Sequence, residues 1–306
     1  MKKINQNTLN EKIEFKGIGL HCGLNVNLIV KPAKPNTGIV FKRTDIEKNN
    51  IIHADFKNVV EPVLCTKIKN ENEVTVSTVE HLMAAFYGEG IDNALVEVDA
   101  PEIPIMDGSA VDFVDAIRSV GIEEQNEPRK FIKVLKKVEV KDGEKFISIE
   151  PLEKDLIIDF ELIYRNPLIR TRRKEFKLSN DDLTAIYNSR TFCLYEDIDN
   201  IKRMGLAKGG SLENAIVVQG DKILNENGLR NRHEFVYHKI LDCLGDIMLS
   251  GNRIFGHIKT SQGGHALTNK LLKEFFSDKT NWKLESFDNA EKQNQDSYEN
   301  SLAIGA

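Results

Sequence analysis

Residues 238–246 read HKILDCLGD, so an imidazole and two carboxylates (His238, Asp242 and Asp246) recur at four-residue intervals. In a helix that spacing puts all three on one face. Ile240, Leu241, Leu244, Ile247, Met248 and Leu249, with Cys243 among them, fall at helical spacing and predict a buried stripe beside them. A lone HxxxD of this kind is ordinarily a weak surface pair. A catalytic metal asks for more: zinc takes three protein ligands from His, Asp or Glu and leaves a fourth position for water. His238 and Asp242 offer two ligands, and His81 in VEHLMAA (79–85) offers a third from a distant part of the chain. Glu80, its neighbour, is a carboxylate able to take a proton from the metal's water. HExxH is absent, which excludes the zincin arrangement. The plainer alternative makes His81 a helix N-terminal histidine satisfied by its loop and Glu80 a carboxylate favoured by the helix dipole.

Three further stretches carry usable groups. SQGGHALTNK (261–270) projects His265 from a Gly-Gly loop, where backbone can approach a ligand closely. SRTFC (189–193) places Thr191, a donor for an oxyanion, beside Phe192, a ring that could flank a ligand. LAKGGSLENAIVV (206–218) joins a glycine turn to small and branched residues suited to a narrow apolar passage. Each also has an ordinary reading, as a helix-start residue, a turn hydroxyl with a core ring, and plain core.

Positioning these groups is the work of the surrounding elements. A length of 306 residues with 41% hydrophobic and 29% charged composition suits two globular domains. No apolar run approaches the ~20 residues of a membrane span, and the N-terminal MKKINQNTLNEKIEF lacks the apolar core of a secretory signal. Cys22, Cys65, Cys193 and Cys243 form no CxxC pair, arguing against a disulfide framework or thiolate zinc site and for a cytoplasmic setting. Residues 1–127 carry 13 Lys and Arg against 20 Asp and Glu, whereas 128–284 carry 28 against 22, a basic portion suited to a small anion. The one basic cluster, RTRRK (170–174), has no interleaved aromatics, so nucleic acid is not an expected partner.

The first third reads as strands, with Val26, Leu28 and Val30 alternating. Helices follow over STVEHLMAAFYGEG, capped by Ser77 or Thr78 and stopped at Gly88, and over VDFVDAIRSVG, capped by Ser109 and stopped at Gly121. The polar EEQNEPRK marks a boundary near residue 127. Strands then recur (FIKVLKKVEV, KFISIEP, LIIDFELIY) before helices at DDLTAIYN and HEFVYHKILDCLGDIMLS. Strands followed by helices, twice, predict an α+β fold of two similar domains, 1–127 and 128–284. Residues 285–306 are polar and aperiodic and predict a disordered tail.

Together these segments resemble the UDP-3-O-acyl-N-acetylglucosamine deacetylase family, the zinc amidases of lipid A biosynthesis. The resemblance rests on GIGLHCG (17–23), PNTGIVFKRTD (35–45), STVEHLMAA (77–85), GIDNALVEVDAPEIPIMDGSA (90–110), SRTF (189–192), GLAKGGSLENAIVV (205–218), LNENGLRNRHEFVYHKILDCLGD (224–246) and GGHALTNKLL (263–272), in family order. It implies two domains, each a sheet layered on helices, with the helices packed face to face around the active site. It implies one Zn2+ on His81, His238 and Asp242, a set that also accommodates Fe2+. By the same resemblance Glu80 is the general base, His265 the general acid and Thr191 the oxyanion donor. Lys239 contacts the anionic part of the substrate, and Asp246 orients His265. Leu64 and Cys65 lie beside the metal, and Phe192, Ile198, Gly210, Ser211, Ala215 and Val217 line an acyl passage. The implied partner is a UDP-linked acylated amino sugar; nothing in the sequence demands more than a monomer, and the SLAIGA end resembles proteolysis signals in some relatives, with plain disorder the alternative. RNPLIRTRRK (165–174) follows no one family pattern, so uridine contacts stay unassigned. A zinc amidase acting on another N-acylated sugar, or a non-catalytic nucleotide-binding scaffold, are the alternative readings.

Overall fold

The computed structural model describes residues 5–60 and 62–286. The first half builds a five-stranded sheet in the order Ile13–Ile18, Asn25–Pro32, Ala94–Val98, Ile39–Arg43, Ile51–His53. Val26, Leu28 and Val30 point into the core, as their alternation requires, and share it with Leu82, Phe86 and Phe113. Those three belong to helices α1 (Glu80–Glu89) and α2 (Val111–Val120). The second half centres on the strand Arg253–Ser261. Its first three residues pair with Lys130–Val134, and the rest lies between Lys145–Pro151 and Leu156–Leu162. Ile147, Ile149, Ile158 and Ile258 from these strands join the core. The helices here are α3 (Thr184–Tyr187), α4 (Ile198–Arg203), α5 (Glu234–Met248) and α6 (His265–Ser277). The molecule is therefore α+β, with sheets and helices in separate layers.

The helix α5 is buried on every side except at Tyr237 and Lys239. A helix so enclosed must have apolar or satisfied residues all round, and Glu234 is satisfied by the Arg190 guanidinium at 2.8 Å. Helix α5 packs on α1 from the first half and on α3 and α6 from the second. The approach to α1 is close enough that a Cβ on Gly245 would lie 1.9 Å from the Glu80 carbonyl oxygen. Only glycine fits there, and this contact brings the Glu80 end of α1 against α5. The other end of α1 is held by cations that complement the last carbonyls of the helix: Arg253 donates to the Tyr87 carbonyl at 2.5 Å and Arg129 to that of Gly90 at 2.9 Å.

Several local expectations need correction. Helix α1 has Val79 at its N-cap with no side-chain cap bond, because Ser77 lies in a strand and the Thr78 hydroxyl bonds Glu102 instead. It ends past Gly88, at Gly90, whose φ of 84° provides the left-handed turn. Ala110, not Ser109, occupies the N-cap of α2, though Gly121 does end it. EEQNEPRK, the polar stretch at the boundary, is ordered: Ile122–Pro128 is a strand paired antiparallel with Asn5–Leu9. Its polarity reflects one exposed face, while Gln125 turns inward to bond Asn93 and the Ala33 carbonyl. FIKVLKKVEV divides into Lys130–Val134 and Val138–Asp142, and DDLTAIYN yields only the single turn α3. Trp282–Ser286 is a strand on Lys130–Val134 and runs two residues beyond the expected tail boundary. The remaining tail, with its SLAIGA end, lies outside the described residues. Among them no helix is long and apolar enough to cross a membrane.

Candidate active site

His81 enters from α1 and His238 and Asp242 from α5, all three almost fully buried. The α1–α5 crossing therefore joins residues far apart in sequence. Asp242 Oδ1 lies 3.6 Å from His81 Nε2 and 3.4 Å from His238 Nε2, and one ligand atom from each residue lies within 4.8 Å of the others. His238 Nδ1 is 3.0 Å from the Ser189 carbonyl, which can only accept, so Nδ1 donates and the Nε2 lone pair faces the cluster. Asp242 Oδ1 is buried without a hydrogen bond. A buried carboxylate oxygen left so is costly, and a cation held by the three atoms removes that cost. The donor set fits a divalent transition metal. Burial pushes His238 down to about 3, keeping it neutral as a ligand must be. Asp242 is held well below the carboxylate range, since His238 and Lys239 outweigh its burial.

Two more titratable groups face this cluster. Burial raises Glu80 to about 7, partly opposed by His265 and His81. Burial disfavours the His265 imidazolium, but Asp246 and Glu80 outweigh it and lift the group to about 10. His265, the first residue of α6 and not a loop residue, places Nδ1 2.9 Å from Asp246 Oδ2 and Nε2 3.7 Å from Glu80 Oε1. A carboxylate and an imidazole whose pKa values are both displaced upward thus stand side by side. Asp246, one turn beyond Asp242, lies behind His265 at 4% exposure. The imidazole and two carboxylates of α5 sit along a rail that rises about 6 Å every four residues, His238 and Asp242 at the cluster and Asp246 behind His265.

Beside these groups opens a cavity of about 780 Å³. Thr191, Lys239 and His265 line it, as do Leu64, Phe192, Ile198, Gly210, Ser211, Ala215 and Val217. Cys65 does not line it: the thiol is buried, and burial first, then Glu80, pushes it up to about 12. Thr191 is set by its backbone, donating to the Gly108 carbonyl and accepting from Ile216, both at 2.8 Å. The Lys239 ammonium lies 2.8 Å from Asp242 Oδ2 and 5.5 Å from the Phe192 ring centre. It therefore supports a ligand carboxylate as well as facing the cavity. Sequence reasoning overlooked His21, 8% exposed, which lines the cavity with its backbone N–H on Glu102. It also overlooked Thr66, which bonds both Glu80 and Asp246. The histidine in GIGLHCG was a visible signal; Thr66 had none.

A three-residue donor set in a protein interior, open on one side to an ionisable carboxylate and an imidazole, defines a metal-dependent hydrolase. Comparison with known proteins narrows that class. The family model for UDP-3-O-acyl N-acetylglycosamine deacetylase (LpxC) matches residues 6–277. The chain is 44% identical over 292 residues to the UDP-3-O-acyl-N-acetylglucosamine deacetylase of Actinobacillus succinogenes, covering 94% of this chain and 95% of that one. It is 43% identical over 286 residues to the enzyme of the same name from Shewanella violacea, covering 92% and 93%. With the Haemophilus ducreyi enzyme the identity is 41% over 292 residues, again 94% and 95%. The chain belongs to the UDP-3-O-acyl N-acetylglycosamine deacetylase family, whose members are metalloenzymes that hydrolyse an amide.

Proposed function

We propose that this protein is a zinc-dependent deacetylase of lipid A biosynthesis, releasing acetate and a free 2-amino sugar from UDP-3-O-acyl-N-acetylglucosamine. One observation carries the reading: Glu80 and His265, 3.7 Å apart, line one small pocket together with His81, His238 and Asp242, and His265 also lines the large cavity. When bound, the metal supplies Lewis acidity toward water and toward the amide carbonyl. Glu80 Oε1 takes the proton of the attacking water, a task suited to a carboxylate tuned near neutrality. Thr191 at the cavity wall meets the negative charge that develops on the carbonyl oxygen. His265 Nε2 gives its proton to the departing nitrogen, and Asp246 holds Nδ1 so that Nε2 faces the cleft. Lys239 faces the anionic nucleotide end, while Phe192, Ile198, Ala215 and Val217 give the acyl chain an apolar wall. Residues 1–127 supply the base and one ligand, and 128–284 supply the remaining groups.

The test uses purified protein with UDP-3-O-acyl-N-acetylglucosamine and, in parallel, shorter-chain and nucleotide-free N-acetylated sugars. Acetate release from the first, lost on chelation and restored by one equivalent of Zn2+, is expected; restoration by Fe2+ alone overturns the choice of metal. Preference for a nucleotide-free sugar overturns the choice of substrate, and metal binding without turnover of any substrate overturns the enzyme reading.

A further inference from the structure

Thr66 stands outside the cavity lining, yet it turns all three of its polar groups to the site. It is 2% exposed. Its N–H donates to Glu80 Oε2 at 3.1 Å, its carbonyl accepts from Val79 N at 3.4 Å, and its hydroxyl lies 2.5 Å from Asp246 Oδ1. Asp246 Oδ2 is engaged by His265 Nδ1 at 2.9 Å, and the Thr66 hydroxyl donates to the other carboxylate oxygen. Thr66 belongs to the first half of the chain and Asp246 to α5, so this bond crosses the interface that assembles the site. Two residues earlier, Leu64 holds a φ of 61°, a left-handed conformation that a branched residue adopts only where its surroundings impose it. Thr66 itself is fixed through its own N–H, carbonyl and hydroxyl, which bond Glu80, Val79 and Asp246.

We propose that Thr66 is a positioning residue for the hydrolysis, tying the general base to the support of the general acid. Its N–H occupies Glu80 Oε2 and leaves Oε1 as the oxygen turned toward the reacting centre, 3.7 Å from His265 Nε2. Its hydroxyl fixes the rotation of Asp246, which in turn fixes the His265 ring. The inference rests on the deacetylase reading and adds to it a residue that acts without touching substrate.

The experiment compares Thr66→Val, Thr66→Ser and Asp246→Asn, and the double variant Thr66→Val with Asp246→Asn, in the metal-loaded enzyme. Readouts are kcat, KM and bound metal per chain. Thr66→Val is expected to lower kcat about 10- to 100-fold, the size of a lost hydrogen bond to an ionised group. KM should stay within about twofold, metal content should be unchanged, and Thr66→Ser should restore most of kcat. In the Asp246→Asn background Val should cost far less, and any packing cost common to both backgrounds cancels in the cycle. An unchanged kcat, a loss confined to KM or metal content, or the same loss in both backgrounds overturns the proposal. Failure is separable from failure of the parent reading: an inactive wild type sinks the deacetylase assignment. An active wild type matched by Thr66→Val sinks only the role of Thr66.

Discussion

At the scale of single residues, the roles of Glu80 and His265 make distinct demands on protonation. Replacing either by Ala removes a positioned base or acid, and kcat should fall about 10²- to 10⁴-fold in each. Folding should persist, because both face the cleft. The measurement is acetate release beside a melting curve, and near-normal turnover in Glu80→Ala would remove it as base. His265 also sets a pH limb. Its pKa is raised from an ordinary 6.5 to about 10, so the proton-donating form is present below that value and is lost as pH rises through it. Asp246→Asn takes away the nearest negative charge, which had favoured the imidazolium, so the alkaline limb of kcat/KM should move to lower pH. A limb that stays in place or moves upward would show that another group controls it. His238 and Asp242 were legible as a candidate pair because residue type and helical spacing together restrict the chemistry, whereas His81 joins them only through the packing of α1 on α5. Thr66 was not legible, since its contribution is a backbone N–H and a hydroxyl whose partners lie 14 and 180 residues away.

At the scale of elements, α5 was legible and its surroundings were not. Its apolar spacing announced a helix, but a stripe was expected where the helix is enclosed, since burial on the polar edge depends on α1 arriving from the first half. Caps were misassigned for a related reason: Thr78 is a good capping type, yet tertiary contact with Glu102 claims its hydroxyl. Ile122–Pro128 marks a boundary in the sequence but gives no sign of being a strand, because a strand with one wet face and few apolar residues carries little periodic signal. The α1–α5 contact makes its own prediction. Gly245→Ala puts a methyl 1.9 Å from the Glu80 carbonyl oxygen, so the helices must separate. The cost should be at least ~1–3 kcal/mol, as for other overpacked interiors, and activity should fall with it, because the displacement falls where Glu80 and His81 begin α1. Denaturant unfolding and kcat measured together check this; a variant as stable and active as wild type would mean that the crossing tolerates separation.

At the scale of the whole molecule, the two sheet-and-helix halves share a core, and the site lies on their seam. The order of strands and helices disclosed that layering, but spacing alone does not say that residues 81 and 238 meet. Their meeting is a property of the helix–helix packing, and it gives the metal a structural part as well as a chemical one. A cation held by His81 from one half and by His238 and Asp242 from the other binds the assembled form and not the unfolded chain. Binding of that kind stabilises by RT ln(1 + [L]/Kd), about 4 kcal/mol when free metal exceeds Kd a thousandfold. Removing the metal should therefore lower Tm by several degrees, and returning Zn2+ should restore it in a concentration-dependent way. His81→Ala should remove most of that increment, since it leaves α5 with two ligands and the seam without a bridge. If chelation leaves Tm unchanged while abolishing turnover, the halves are held by their apolar contact alone, and the cation contributes only to the chemistry.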